Sequence, residues 1–207
     1  MTRIICLSDV HSTQESISVP DGDVLIIAGD LTMVGELEEI IRLNHWLGTL
    51  PHQHKVIIAG NHDWLFQHRP TFARSLITNA IYLEDSKTEI DGLKIYGSPW
   101  QPEYMSMAFN LPRGRALAEK WDMIPRGLDI LITHGPPYQI LDEVPSGERV
   151  GCEDLLDAVR RVRPRLHIFG HIHHSYGQIK VDSTEFANAS ICDESYLPAN
   201  PPLVFDL

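Results

Sequence analysis

The chain is poor in the residues that build disulfide or thiolate-metal frameworks. It holds three cysteines, Cys6, Cys152 and Cys192, an odd number at wide spacing with no C-x-x-C. That excludes a cysteine-stapled scaffold and a thiolate zinc site, and fits a reduced, cytoplasmic compartment. Positive charge is scarce too: 17 Lys and Arg stand against 28 Asp and Glu, for a net charge of −11. Extended contact with a nucleic-acid polymer or an anionic membrane needs clustered cations, so neither is an expected partner. A small phosphate ester stays open, because bound divalent cations reverse the potential of an acidic cleft. No apolar run approaches the ~20 residues of a membrane span, and the N-terminal run meets Asp9 too soon for a signal-peptide core. What the chain has in abundance is histidine, eleven in 207 residues.

That length predicts one domain, residues 1–207, with no internal repeat or linker. Five short apolar runs, rich in β-branched residues and without alternation, predict buried strands: Ile4–Leu7, Val24–Ala28, Val56–Ala59, Ile130–Thr133 and Leu166–Phe169. Gly35–Leu47 and Gly151–Val162 carry apolar residues at helical spacing, the first with acidic residues in its opening turns and the second stopped by Pro164. Lys87–Ile90 and Leu93–Tyr96 flank Asp91-Gly92, a hairpin signal. Gln178–Val181, Phe186–Ala189 and Leu203–Phe205 read as further strands. Ser98–Gly127, rich in Pro, Gly and aromatics with a weak helix at Ala116–Trp121, reads as a surface wall or lid. The predicted class is α/β, with two packed mixed β-sheets flanked by helices.

Each of the five runs is followed by metal-competent side chains. They lead into Asp9-Val10-His11, Gly29-Asp30, Gly60-Asn61-His62-Asp63, His134 and Gly170-His171-Ile172-His173. Ligands bind at the carboxyl edge of α/β sheets, so these groups are expected to meet on one sheet edge. Singly they are weak signals: background composition gives Asp-x-His in about one such chain in four, Gly-His-x-His in roughly one per hundred and Gly-Asn-His-Asp in about one per thousand. Their ordered combination at strand exits is the strong signal. Carboxylates, imidazoles and an amide without thiolate suit Mn²⁺, Fe, Zn²⁺ or Mg²⁺. Seven side chains, Asp9, His11, Asp30, Asn61, His134, His171 and His173, exceed what one tetrahedral ion needs. Two divalent ions sharing a carboxylate would use them all, and such a pair catalyses phosphoryl displacement.

The set resembles the motifs of the calcineurin-like metallophosphoesterase superfamily: D-x-H, G-D, G-N-H-D/E, H and G-H-x-H. Gly97–Pro102, Phe109–Gly114, Arg149–Cys152 and Asn200–Asp206 are similar to its metallophosphoesterase-domain-containing branch, whose members are regarded as metal-dependent phosphodiesterases with cyclic nucleotides among their substrates. The resemblance implies a sandwich of two mixed sheets between helices. It implies one metal on Asp9, His11, Asp30 and His173, and a second on Asp30, Asn61, His134 and His171, with Asp30 bridging and with Mn, Fe, Zn, Ni or Mg as candidate ions. It further implies attack by a metal-bridging hydroxide, with His62 assisting the leaving oxygen and Asp63 orienting His62.

The expected function is hydrolysis of a small phosphodiester or nucleotide. The rivals are a phosphomonoesterase or protein phosphatase and a nucleotide-binding sensor. Family protein phosphatases continue G-D into an Asp-Arg-Gly segment, whereas Gly29-Asp30 here continues as Leu31-Thr32-Met33-Val34-Gly35 without arginine. Trp100 could stack on a base or cap a local core, and Arg113 could meet phosphate or brace a turn. His174 reads as solvated and Cys152 as a packed small residue. His45, His52, His54 and His68 lack ligand spacing and read as surface residues. The oligomeric state is left open.

Overall fold

A computed structural model describes all 207 residues. In chain order its strands are β1 (Arg3–Leu7), β2 (Val24–Ala28), β3 (His54–Ile58), β4 (Ile81–Tyr82), β5 (Ser86–Ile90), β6 (Leu93–Ser98), β7 (Gln101–Pro102), β8 (Asn110–Leu111), β9 (Ile130–Thr133), β10 (Leu166–Phe169), β11 (Gly177–Val181), β12 (Thr184–Asn188) and β13 (Leu203–Asp206). The helices are α1 (Leu37–Thr49), α2 (Trp64–His68), α3 (Pro70–Leu76), α4 (Arg115–Asp122) and α5 (Glu153–Val162). One sheet has the order β13-β1-β2-β3-β4 and the other β11-β12-β10-β9-β6-β5, while β7 and β8 pair on their own. Parallel pairing fills the middle of both large sheets, and the antiparallel strands β13, β5 and β11 lie at their edges.

The apolar runs lack alternation because both faces of each sheet are covered. In β1, Ile4 and Cys6 point between the sheets while Ile5 and Leu7 point to the helices. In β2, Val24, Ile26 and Ala28 face inward and Leu25 and Ile27 outward. The inter-sheet core joins these residues to Ile95, Ile130, Ile132, Leu166 and Ile168 of the second sheet. Phe66, Ala73, Ile40, Leu43 and Leu47 of α1–α3 cover the first sheet; Leu117, Trp121, Leu155 and Val159 of α4 and α5 cover the second. The expected sandwich of two mixed sheets between helices is the fold observed.

The five motif-bearing strands do not share one sheet. Strands β1, β2 and β3 belong to the first sheet and β9 and β10 to the second, so their ends meet across the seam between the layers. An isolated bridge between Ser8 and Ser190 and the bond from Ser8 N to Ala189 O (2.8 Å) stitch that seam. Helices α2 and α3 and strand β4 went unpredicted because they are short and are broken by Arg69-Pro70, which allows too few turns for a periodic pattern. Ser98–Gly127 is only partly a wall, since Ala108, Phe109, Leu117 and Trp121 are fully buried. His52, expected at the surface, is also buried and its Nε2 bonds the Pro20 carbonyl at 3.0 Å.

Candidate metal centre

The backbone at the strand exits is bent sharply inward. Asp9, His11, Asp30 and His171 all adopt left-handed φ values, 55°, 43°, 48° and 67°, which are uncommon for non-glycine residues. Backbone bonds hold these turns: Asp9 N to Gly29 O and His11 N to Asp30 O, each 3.0 Å. Two motif glycines are required by close approach. A Cβ on Gly60 would strike Asp30 and His134, and one on Gly170 would strike Asp9 and Ser8.

The turns bring all seven expected ligands to one place. The Asp9 Oδ1 atom lies 3.3 Å from His173 Nε2 and 4.0 Å from His11 Nε2. Asp30 Oδ2 sits between the groups, 3.3 Å from His134 Nε2, 3.7 Å from His11 Nε2 and 4.0 Å from His62 Nε2. Asn61 Oδ1 is 2.9 Å from His134 Nε2, and the His171 ring centroid is 5.1 Å from that of His134. Three ligand-like groupings result: Asp9, His11 and His173; Asp30, His134 and His171; and His11, Asp30 and His62. The first two each hold three of the four residues that the motif resemblance implies for one ion, the first without Asp30 and the second without Asn61.

The inner ring nitrogens are aimed by bonds at the outer ones. His134 Nδ1 donates to the Ala28 carbonyl (2.9 Å) and His173 Nδ1 to the Asp193 carbonyl (2.8 Å), which turns both Nε2 atoms inward. Burial opposes the charge of His134, but Asp30, Asp9 and the Ala28 carbonyl outweigh it and raise its pKa to about 9. His173 follows the same pattern: burial opposes, and Asp9, the Asp193 carbonyl and Asp30 raise it to about 9. Burial also works against the carboxylates, yet His173 and His134 hold Asp9 well below the usual range, and His134, His11 and His62 do the same for Asp30. Burial dominates at His11 and at His171, lowering them to about 4 and about 3. His11 Nε2 and His173 Nε2 face each other at 3.3 Å. Two ring nitrogens at that separation need a proton or a cation between them.

His62 lies in the same cluster with its Nδ1 donating to the Met33 carbonyl at 2.6 Å, leaving Nε2 toward Asp30 and the cleft. The expected Asp63–His62 contact is not formed. The fully buried Asp63 carboxylate instead accepts from Leu31 N, Thr32 N, Thr32 Oγ1 and Gly60 N, tying the G-D turn to the G-N-H turn. Burial, then the Asp30 charge, raises its pKa to about 6 against those donors. The physical reason is direction: the strand-exit donors surround Asp63 before the imidazole can reach it.

A cleft of about 380 Å³ opens over the cluster. Pro102, Glu103 and Tyr104 of the irregular segment line one side, Val144, Pro145 and Val150 another, and Glu194 and Tyr196 a third. Tyr196 stands edge-on to His11 with centroids 4.7 Å apart, and Tyr104 edge-on to His171 at 5.8 Å. Sequence reasoning missed both tyrosines, because loop residues carry no periodic signal. Trp100 does not line the cleft: its Nε1 donates to Asp85 (2.9 Å), Lys120 lies over its ring and Phe109 packs beside it. Arg113 does line the cleft, but its guanidinium is engaged by Val150 O, Gly151 O and Glu153. His174 is exposed beside Glu194. Cys152 is buried under Trp121 Nε1, and burial raises its thiol pKa. His45 and His68 are exposed and His54 half-buried, all apart from the cluster.

A family model described as calcineurin-like phosphoesterase matches residues 2–175. The chain belongs to that family. Among the calcineurin-like phosphoesterases it is similar to metallophosphoesterase domain-containing protein 1 of Homo sapiens and of Mus musculus, each 49% identical over all of this chain and 71% of the relative. A UPF0046 protein of Caenorhabditis elegans, T07D4.2, is 40% identical over 99% of this chain and 60% of its own length. At the level of fold alone, one crystal structure superposes with a TM-score of 0.69 at 15% identity, covering 90% of each chain. Thermus thermophilus TT1561 superposes with a TM-score of 0.59 at 15% identity, over 90% of this chain and 88% of its own. Calcineurin-like phosphoesterases bind divalent metals, and the donor set here fits such ions: inward Nε2 atoms, two anionic carboxylates and an amide oxygen. No helix is long and apolar enough to cross a membrane.

Proposed function

We propose that this phosphoesterase is a two-metal phosphodiesterase of small substrates, cyclic nucleotides among them. The charge around the cleft carries the reading. Arg113 is the sole Arg or Lys lining it, and its guanidinium is already engaged, while Glu103 and Glu194 stand at the rim. A monoanionic diester meets less repulsion there than a dianionic monoester. Asp9, His11, Asp30 and His173 would hold one ion, and Asp30, Asn61, His134 and His171 the other.

Two bound divalent ions supply Lewis acidity and a water whose pKa is lowered toward neutrality. The chain supplies the rest. Ala28 and Asp193 carbonyls fix the tautomers of His134 and His173, and the left-handed turns aim the carboxylates. His62 keeps its Nδ1 proton on the Met33 carbonyl and, when protonated, offers Nε2–H to the departing ester oxygen. Tyr104 and Tyr196 flank the reacting centre on two sides.

The test is turnover of bis-aryl and mono-aryl phosphates and of 2′,3′- and 3′,5′-cyclic nucleotides with Mn²⁺, Mg²⁺, Zn²⁺, Ni²⁺ or Fe²⁺. Diesters should be turned over with the higher kcat/KM, and His62→Ala should lose rate selectively on poor leaving groups. A higher kcat/KM for monoesters would overturn the diester reading. Hydrolysis of none would leave a nucleotide-binding protein.

A further inference from the structure

The single hydrogen bond that orients the His62 ring ends on a peptide group whose other side is gripped by a carboxylate. Glu39, in the first turn of α1 and 8% exposed, accepts four hydrogen bonds. Its Oε1 takes Ser12 Oγ–H (2.6 Å) and Met33 N–H (2.8 Å), and its Oε2 takes Val34 N–H (3.2 Å) and Glu36 N–H (2.9 Å). A capping-box glutamate needs only the last of these. The Val34 N–H and the Met33 carbonyl belong to the same trans peptide unit, and that carbonyl accepts His62 Nδ1–H at 2.6 Å. The line therefore runs from carboxylate to peptide to imidazole.

We propose that Glu39 is a positioning residue for His62, acting through the Met33–Val34 peptide in the place where the sequence suggested Asp63. The carboxylate fixes the plane of the peptide, and so the direction of the Met33 carbonyl. It also polarises that carbonyl, because a peptide whose N–H is bonded to an anion is a stronger acceptor at its oxygen. A stronger acceptor at Nδ1 holds the ring with Nε2 facing the cleft. Ser12 extends the arrangement: it follows His11, so the same carboxylate links the D-x-H turn to the loop beneath His62. Four bonds on one nearly buried group, three of them beyond the needs of the helix, are more than a cap alone explains.

This inference rests on the reading that His62 protonates the leaving oxygen, and the experiment separates the two. Glu39→Gln keeps one oxygen for Ser12 and Met33 but sets an NH₂ against Val34 N–H and Glu36 N–H, so it breaks the relay together with the capping-box bond, any helix-start loss falling equally on both substrates. Glu39→Ala removes everything. The metal-loaded proteins are compared on an activated bis-aryl diester and on a diester with a poor alkyl leaving group, alone and combined with His62→Ala. Metal content and ring ¹⁵N spectra of His62, taken with diamagnetic Zn²⁺ or Mg²⁺, are measured alongside.

Glu39→Gln should lower kcat on the poor leaving group by roughly tenfold, the usual scale for a lost outer partner. Activated-ester turnover, KM and metal content should stay unchanged, and the substitution should cost nothing further in the His62→Ala background. Equal losses on both substrates, or a loss that adds to that of His62→Ala, would overturn the relay and leave Glu39 a brace of the helix start. If His62→Ala itself shows no preference between leaving groups, the proton-donor reading falls. The relay then stands or falls on the spectra: a displaced His62 Nδ1 resonance in Glu39→Gln supports it, and an unchanged one overturns it.

Discussion

Replacing Asp63 with alanine distinguishes a structural carboxylate from a catalytic one. Its oxygens accept Leu31 N (3.1 Å), Thr32 N (3.0 Å), Thr32 Oγ1 (2.6 Å) and Gly60 N (2.7 Å) at a site with no solvent exposure. Alanine would strand three backbone N–H groups, while the hydroxyl could turn to the His62 carbonyl 3.5 Å away. Each buried donor left unpaired costs about 1–3 kcal/mol. Relief of the desolvated carboxylate, whose burial pushes its pKa up to about 6, offsets part of that. The expected net loss is on the order of 4 kcal/mol, at the upper end for one substitution and a large share of a typical domain's stability. With a urea slope of about 2 kcal/mol per molar, the unfolding midpoint should fall by about 2 M. Asp63→Asn keeps one acceptor oxygen and should lose roughly half as much. An orienter of His62 would behave differently, with a normal midpoint and a depressed kcat. That outcome in urea titrations followed by circular dichroism would refute the reasoning.

Gly60→Ala should abolish metal uptake, measured by equilibrium dialysis, because its methyl would displace Asp30 and His134; undiminished uptake would show that the turn can yield. Burial lowers His167 to about 3, so the native chain refuses a proton that the unfolded chain takes up below about pH 6.5. Its contribution is intact above that pH and erodes on acidification toward pH ~3, by at most about 1.4 kcal/mol per pH unit. His167→Asn should therefore flatten the acid limb of a stability–pH curve, and identical slopes would contradict the assignment. Chelation should lower Tm, and a metal held at a hundred times its Kd should restore about 2.7 kcal/mol. A Tm indifferent to chelator would mean that the cluster binds no ion in the native state.

Much of this arrangement was legible from the chain. Val24–Ala28, Ile130–Thr133 and Leu166–Phe169 match the observed strands end for end, because a run buried on both faces has an unambiguous apolar signature. The polar residues that follow had to lie at strand exits, and they do. The assignment of strands to sheets was not legible: an apolar run declares itself a strand but does not name its neighbour, so the seam between the layers was missed. The Asp63 contacts were equally hidden, since a carboxylate beside a histidine in sequence points wherever donors are nearest. Tyr104 and Tyr196 reach the cleft through turns with left-handed residues at Met105, Ser106 and Tyr196 itself, and such turns follow no period.

The left-handed φ of 67° at His171 has an evolutionary consequence. A side chain there costs on the order of 1 kcal/mol that glycine would not. Drift from histidine to glycine at this one position therefore removes a candidate ligand while relaxing the backbone. Most routes to a silenced catalyst carry a folding penalty that selection purges; here relief of the backbone offsets part of the cost of the lost ring. The histidine is kept only as long as something downstream of its chemistry demands it.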